Sequence, residues 1–395
     1  MRILAMALET KIDARFLERM QRGEENKRVA IVTITQKARE LGRKIKAECF
    51  PQAKLYVRTT DQAPLDSHYD EYSQRQGRAV LSLQGAFQAA DLVIAIMATG
   101  VVVRALAPVI EDKMTDPAVL VLDEGGQHVI SLLAGHFGRA NHYARLLAKS
   151  LSSQAVITTA TDSQGRIGID DLAFNYGAVY SDFKKQTRRF NLLVAEEAPI
   201  LYLNETVFNF PSPPGYQTLA KGNCSETAAK TSSLDPTTLA AYQGLVLVTN
   251  RQKSSFSLPK DLPVVKMIPR RYILGIGCRK NTPYSLLLEE LETFLQGKNL
   301  RWESIKTVVS IDLKAEEDAI LQLAKDHYFN FKTFSKEDLL AFESYYPGSD
   351  FVKKVVGVSS VSQTAAHLES QGHVVSGRYA HKGVTFTLAY YQEEE

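Results

Sequence analysis

A histidine flanked by glycines is the arrangement in this chain best suited to move a proton. It lies in Ser131-Leu-Leu-Ala-Gly135-His136-Phe-Gly138-Arg139-Ala-Asn141-His142, which reads as a strand, a loop and a helix start. Glycines beside an imidazole let backbone or ligand approach, and the ring titrates near neutral pH. An imidazole satisfied by a local carbonyl is the alternative reading. Asp123 and Glu124 end an apolar run ahead of Gly125 and Gly126. Neighbouring carboxylates can divide acid and base roles, or Asp123 caps a turn and Glu124 faces water. Met97-Ala-Thr99-Gly100 leads into Val101-Val-Val-Arg104, a strand turning into a helix whose free amides attract carboxylate or phosphate. Arg104 adds a bidentate donor there, or is simply solvated. Thr158-Thr159-Ala-Thr161-Asp162 sets hydroxyls and one carboxylate at a strand end, able to hold water or a substrate carboxylate, or to bond their own backbone.

Three further loops carry polar groups: Gly277-Cys-Arg279-Lys280, Ser310-Ile-Asp312-Leu-Lys314 and Gly357-Val-Ser359-Ser360-Val361. On one sheet edge they would form a polar, locally basic concavity.

Positioning these loops requires alternating strands and helices. Val29 to Ile34, Ala53 to Val57, Leu92 to Met97, Val119 to Asp123 and Ala155 to Thr159 are short apolar runs separated by amphipathic stretches such as Lys37 to Cys49 and Ala140 to Leu151. Parallel strands buried on both faces need such covering helices. The predicted fold class is therefore α/β: an N-terminal doubly wound, mostly parallel sheet, a less regular middle α/β region, and a C-terminal α/β domain. The expected boundaries are 1–160, 161–268 and 269–395, with a linker over Asp261 to Arg271, where Pro263 and Pro269 stand among charges. Asp123, Glu124 and Thr159 are expected together at the strand C-terminal edge, where open α/β sheets bind ligands. Ser335 to Asp338 has the form of a capping box.

At 395 residues, 45% hydrophobic and 23% charged, the chain is long enough for two or three cores and unlike disordered or collagenous sequences. Its net charge of +3 gives no sign of a nucleic-acid partner. Cys49, Cys224 and Cys278 are far apart and form no C-x-x-C pair, so reduced thiols in the cytoplasm are expected and a resident metal is not. Met1 to Thr10 reads as a first strand rather than a secretory signal, and Leu92 to Ile110 is too interrupted to span a membrane. Walker, H-E-x-x-H and G-x-S-x-G signatures are absent, and Gly275-Ile-Gly-Cys-Arg-Lys280 has lysine at the third glycine of a dinucleotide fingerprint. A nucleotide-dependent oxidoreductase is disfavoured accordingly.

Taken in order, Gly100 to Arg104, Lys113-Met-Thr-Asp116-Pro117, Asp123-Glu124, Ser131 to His136 with Ala140-Asn141, Thr158 to Asp162, Gly275 to Arg279, Ser310 to Lys314 and Gly357 to Val361 resemble the cobalamin biosynthesis protein CbiG family. The resemblance spans nearly the whole chain and departs from the family pattern at Ala134, Arg139 and Asn281. It implies a cobalt-precorrin-5A hydrolase of the anaerobic route to vitamin B12, which opens the ring A δ-lactone and releases acetaldehyde. The partners implied are a cobalt-containing tetrapyrrole and water, with no added cofactor, since the substrate carries the cobalt; a homodimer is left open. His136 is then the expected general base, Arg104 or loop amides the oxyanion donors, and Asp162 or Glu124 the group orienting water or imidazole. Expected substrate contacts are Thr99, Gly100, Asp116, Gly135, Gly138, Arg139, Asn141, Thr159, Thr161, Gly277, Arg279, Lys280, Asp312, Lys314, Ser359 and Ser360, with anion-binding helix starts at Gly100, Gly138 and Arg279. A non-catalytic tetrapyrrole carrier using the same loops is the competing expectation.

Overall fold

A computed structural model describes residues 27–57, 79–112, 115–159, 165–219, 239–258 and 261–392. The expected first strand at Met1 to Thr10, together with Lys113, Met114, Thr161 and Asp162, lies outside the described residues.

The N-terminal unit comprises β1 (Val29–Thr33), α1 (Gln36–Glu48), β2 (Lys54–Val57), α2 (Ala79–Ala89), β3 (Leu92–Ile96), α3 (Thr99–Leu106), β4 (Ala118–Leu122), β5 (His128–Leu133), α4 (Ala140–Leu151) and β6 (Gln154–Val156). Its strand order is β2-β1-β3-β4-β5-β6. β1, β3 and β4 are buried along their whole length, as their unbroken apolar runs require. Val29, Ile31 and Leu120 pack beneath Ile45 of α1 and Leu147 of α4, whereas Ala30, Val32 and Val121 meet Leu83 of α2 and Val102 of α3. Both faces of the sheet are thus covered, the doubly wound arrangement. Thr35 starts α1 by accepting the Ala38 amide at 3.1 Å.

One strand pair departs from the parallel pattern, with consequences for the site. β4 and β5 form an antiparallel hairpin, and β6 runs parallel to β5. The C-terminal ends of β1, β3 and β4 therefore open on one rim of the sheet and those of β5 and β6 on the other. The hairpin turn is organised by Asp123, whose carboxylate accepts the amides of Gly125, Gln127 and His128 at 2.9, 3.3 and 2.7 Å. Burial pushes the Asp123 carboxyl up, but those backbone amides outweigh it and hold the group below its ordinary range.

The middle unit contains α5 (Ile169–Tyr176), β7 (Ala178–Val179), α6 (Phe183–Ala195), β8 (Ile200–Asn204), β9 (Gly244–Val248) and β10 (Val264–Pro269), with strand order β7-β10-β9-β8. The stretch expected as a linker is thus largely strand. Pro263 precedes β10 and Pro269 closes it, its carbonyl accepting Asn250 Nδ2 at 2.8 Å, so the prolines bracket the strand rather than break it.

The C-terminal unit runs β11 (Tyr272–Cys278), α7 (Tyr284–Gly297), β12 (Ile305–Ile311), α8 (Asp318–Asp326), β13 (Asn330–Phe334), α9 (Lys336–Leu340), α10 (Asp350–Val356), α11 (Val361–Glu369), β14 (Tyr379–His381) and β15 (Val384–Tyr390). β13, β12 and β11 are parallel neighbours; β15 and then β14 add antiparallel strands beyond β11. α11 lies so close on β11 that a Cβ at Gly275 would sit 1.9 Å from the Ser362 carbonyl oxygen. The capping box at Ser335 and Asp338 is formed, opening α9. Ala134, Arg139 and Asn281 have φ of +53°, +65° and +57°, where glycine is least strained. Among the described residues no helix is long and apolar enough to cross a membrane.

Candidate functional site

His136 stands in a loop that leaves little freedom. A Cβ at Gly138 would lie 2.5 Å from that of Ala134, and one at Gly135 would lie 2.9 Å from Asn141 Oδ1, so the chain folds back on itself only with glycine at both places. Asn141, 3% exposed, ties the loop to its flanking strands: its Oδ1 accepts the Ser131 hydroxyl at 2.7 Å and its Nδ2 donates to Thr159 at 3.0 Å. Phe137 anchors the loop to the middle unit by packing edge-on against Phe174 and Phe183. Arg139 lies over the rings of Tyr143 and Phe174.

The neighbour of His136 is one that sequence reasoning missed. Its Nδ1 is 2.6 Å from Oδ2 of Asp171, in the first turn of α5, with both side chains about a quarter exposed at 23% and 28%. A carboxylate only accepts, so Nδ1 carries the proton of this hydrogen bond, and in the neutral ring Nε2 bears the lone pair. Asp170, beside it, is buried and accepts Asn191 Nδ2 at 2.9 Å. Burial first, and the charge of Asp171 second, raise its carboxyl above the ordinary range. The three side chains bring ligand-type atoms within 4.8 Å of one another. Two ligands of one small cation, each about 2.1 Å from it, would stand about 3 Å apart. The shorter His136–Asp171 separation reads as a hydrogen-bonded pair.

The expected companions of His136 are not all with it. Glu124, Thr99, Gly100 and Arg104 follow β3 and β4 and occupy the opposite rim, about 15 Å away along a five-residue strand. This corrects the expectation that Glu124 and Arg104 act beside His136, and that Asp123, Glu124 and Thr159 share one edge; the hairpin reversal separates them. Glu124 instead accepts the Thr35 hydroxyl at 2.7 Å, and exposed Arg104 folds back over Gly100. Asp116 is buried and its oxygens accept the Glu111 amide, a loop-holding role.

The three C-terminal loops do converge. They line a cavity of about 1400 Å³ that includes Gly277, Arg279, Lys280, Lys314, Ser359 and Ser360. Pockets for drug-sized ligands measure about 300–1,000 Å³, and this one exceeds that range. Arg279 does not start a helix as expected: α7 begins only at Tyr284, behind the Pro283 cap. Among the described residues Arg279, Lys280 and Arg378 on this wall make no ion pair, whereas Lys314 is held by Glu317 at 2.6 Å. Asp312 directs its carboxylate to its neighbour's amide at Leu313. Burial pushes the Cys278 thiol up, so it stays protonated.

Sequence reasoning also missed His381 on the same wall. Its Nδ1 is 2.8 Å from Oε2 of Glu290, which also accepts the Tyr379 hydroxyl at 2.6 Å and pairs with Lys382 at 3.0 Å. The Tyr379 hydrogen bond, followed by those of His381 and Lys382, holds the Glu290 carboxyl down at about 2.

An α/β scaffold thus carries an imidazole held by a carboxylate in one region and, in another, a large cavity lined by cations and carboxylates. Residues 82–162 match the family described as Cobalamin synthesis G N-terminal, and residues 272–389 that described as Cobalamin synthesis G C-terminus. The chain is 37% identical to the cobalt-precorrin-5A hydrolase of Salmonella typhimurium strain LT2 over 354 residues, 89% of this chain and 93% of that one. It is 28% identical to the cobalt-precorrin-5A hydrolase of Priestia megaterium over 358 residues, 89% of this chain and 90% of that one. A solved structure of a cobalamin biosynthesis protein G homolog from Sulfolobus solfataricus aligns with a TM-score of 0.40 and 18% identity, covering 95% of this chain and 99% of that one. The chain belongs to the cobalamin synthesis G family.

Proposed function

We infer that the protein is a cobalt-precorrin-5A hydrolase of anaerobic cobalamin biosynthesis. The observation that carries this is the near full-length match to curated relatives of that name, 37% identical in the first case. The reaction opens the ring A δ-lactone with water and expels acetaldehyde, leaving cobalt-precorrin-5B. Water adds to the lactone carbonyl and frees an acid and an alkoxide. The alkoxide pair becomes the aldehyde carbonyl as the carbon–carbon bond breaks, and the electrons of that bond pass into the conjugated ring. The ring is its own electron sink, so no organic cofactor enters this reading.

The C-terminal cavity is proposed to cradle the macrocycle, with Arg279, Lys280 and Arg378 as counter-ions for its acetate and propionate arms. His136 is proposed to take the proton of the attacking water at Nε2, with Asp171 as the positioning residue in place of the expected Glu124. For one substrate to use both regions, the reacting ring must extend from the cavity to the imidazole. The free thiols Cys49 and Cys278 accord with a cytoplasmic setting.

The test is incubation of purified protein with cobalt-precorrin-5A under anaerobic conditions, with acetaldehyde followed by an alcohol dehydrogenase coupled assay and the product by mass. One acetaldehyde per macrocycle consumed is expected. A bound macrocycle with an altered spectrum and no aldehyde would refute catalysis and leave a carrier.

A further inference from the structure

We propose that His381 is an axial ligand to the cobalt of the bound macrocycle. The inference rests on the reading of the C-terminal cavity as the macrocycle site. His381 lines that cavity with its side chain 57% exposed, at the end of the edge strand β14. Behind it stands Glu290, whose side chain is 3% exposed and is fixed from three directions: His381 Nδ1 at 2.8 Å, the Tyr379 hydroxyl at 2.6 Å and Lys382 Nζ at 3.0 Å. The carboxylate accepts the Nδ1–H hydrogen bond, so in the neutral ring the lone pair is on Nε2, on a side chain that is more than half exposed. A histidine that binds a metal through one ring nitrogen almost always has the other nitrogen held in this way.

Strand pairing keeps the imidazole in place. His381 pairs with Val384 across the Lys382–Gly383 turn, and Val384 in turn pairs with Cys278 at the end of β11. The ring is thereby held at the edge from which the Arg279–Lys280 loop departs.

The surroundings decide which form of metal is taken. One imidazole and one carboxylate that is already engaged are too few ligands for a free divalent ion, and the cavity wall sets Arg279, Lys280, Lys314, Arg378 and Lys382 against Glu316, Glu317 and Asp318, a positive balance that disfavours a bare cation. A cobalt already held by the ring nitrogens of a polycarboxylate macrocycle needs only one further donor, and brings the negative charge that these cations favour. The set therefore selects the metal inside its ring over the metal in solution.

The probe is cob(II)yrinic acid, a cobalt corrinoid with carboxylate arms and no nucleotide base of its own, added anaerobically to the full-length protein. Retention is measured by ultrafiltration and coordination by electron paramagnetic resonance, in which one bound nitrogen splits each cobalt line into a triplet. Wild type and His136→Ala are expected to retain the corrinoid and show the triplet. His381→Ala should retain it within about tenfold of wild type, one imidazole–metal bond being a modest part of a contact set dominated by charged groups, and lose the triplet. Retention without a triplet in wild type, or a triplet that survives in His381→Ala, overturns the ligand assignment and leaves the cavity reading standing. Failure of wild type to retain the corrinoid overturns the cavity reading and the ligand with it.

Discussion

Replacing Asp171 by asparagine tests the acid–base machinery with least disturbance of shape. In the wild type the carboxylate, 2.6 Å from His136 Nδ1, favours the tautomer in which Nε2 carries the basic lone pair. An asparagine amide in the same place can donate to Nδ1, which moves the proton to Nε2 and blocks it as a base. General base catalysis contributes about 10²- to 10⁴-fold, so kcat for acetaldehyde release should fall by that factor, a barrier increase of about 3–5 kcal/mol. KM should change little, because the cations proposed to hold the substrate belong to the C-terminal unit. Folding should change little too, because the amide has the shape of the carboxylate and keeps a hydrogen bond to Nδ1, which circular dichroism melting will show. Glu124→Gln, on the far rim, serves as the matched control and should stay within about twofold of wild type. If Asp171→Asn retains a third or more of wild-type kcat, or if Glu124→Gln loses as much as Asp171→Asn, the pair does not do this chemistry.

Three other measurements bear on the same structure. Arg279→Ala and Lys280→Ala should each raise KM about tenfold, the worth of one charge-assisted contact, with kcat nearly unchanged; steady-state kinetics would show an equal fall in kcat if the residues acted on the chemical step instead. Gly275→Ala should lower stability by about 3 kcal/mol, seen as a reduced urea midpoint, because the added methyl meets the Ser362 carbonyl, while Gly297→Ala, with nothing within 4 Å, should not lower it. Asp170→Asn should stabilise the protein at about pH 8 and have little effect at about pH 4. The sign follows from the raised carboxyl: below the unfolded value of 3.8 both states hold the proton, and as pH rises toward the folded value the buried acid resists ionising and stability is lost, a loss that asparagine avoids. Thermal melts that run parallel across that pH range would contradict the assignment of burial as the cause.

Much of the fold was legible because its central strands are apolar on both faces. Val29 to Thr33, Leu92 to Ile96 and Ala118 to Leu122 could hardly be anything but the interior of a covered sheet. Direction is not written in such runs, and the expectation of a single ligand edge failed on it. A signal did exist: Asp123 to Gln127, between β4 and β5, is far shorter than the dozen or so residues a parallel crossover needs, so a hairpin follows from length alone. β10 was obscured by its flanking prolines, and the two-residue β7 is too short to show a period. In the site, glycine neighbours marked the His136 loop. Asp171 carries no such mark, since an acidic pair opening a helix is ordinary dipole chemistry and its meeting with His136, 35 residues earlier, is made only by tertiary packing. His381 and Glu290, 91 residues apart, are likewise joined only where β14 comes alongside α7.

The hairpin at Asp123 reaches further than its own turn. Side chains alternate between the faces of a strand, so sliding β5 by one position would turn Ser131 away from Asn141 and leave that buried amide without one of its partners. Inserting or deleting a single residue between Gly125 and Gln127 is therefore equivalent, in its effect on the imidazole loop, to damaging that loop directly. A carboxylate on one border of the sheet thus acts as the indexing pin for proton-transfer geometry on the other.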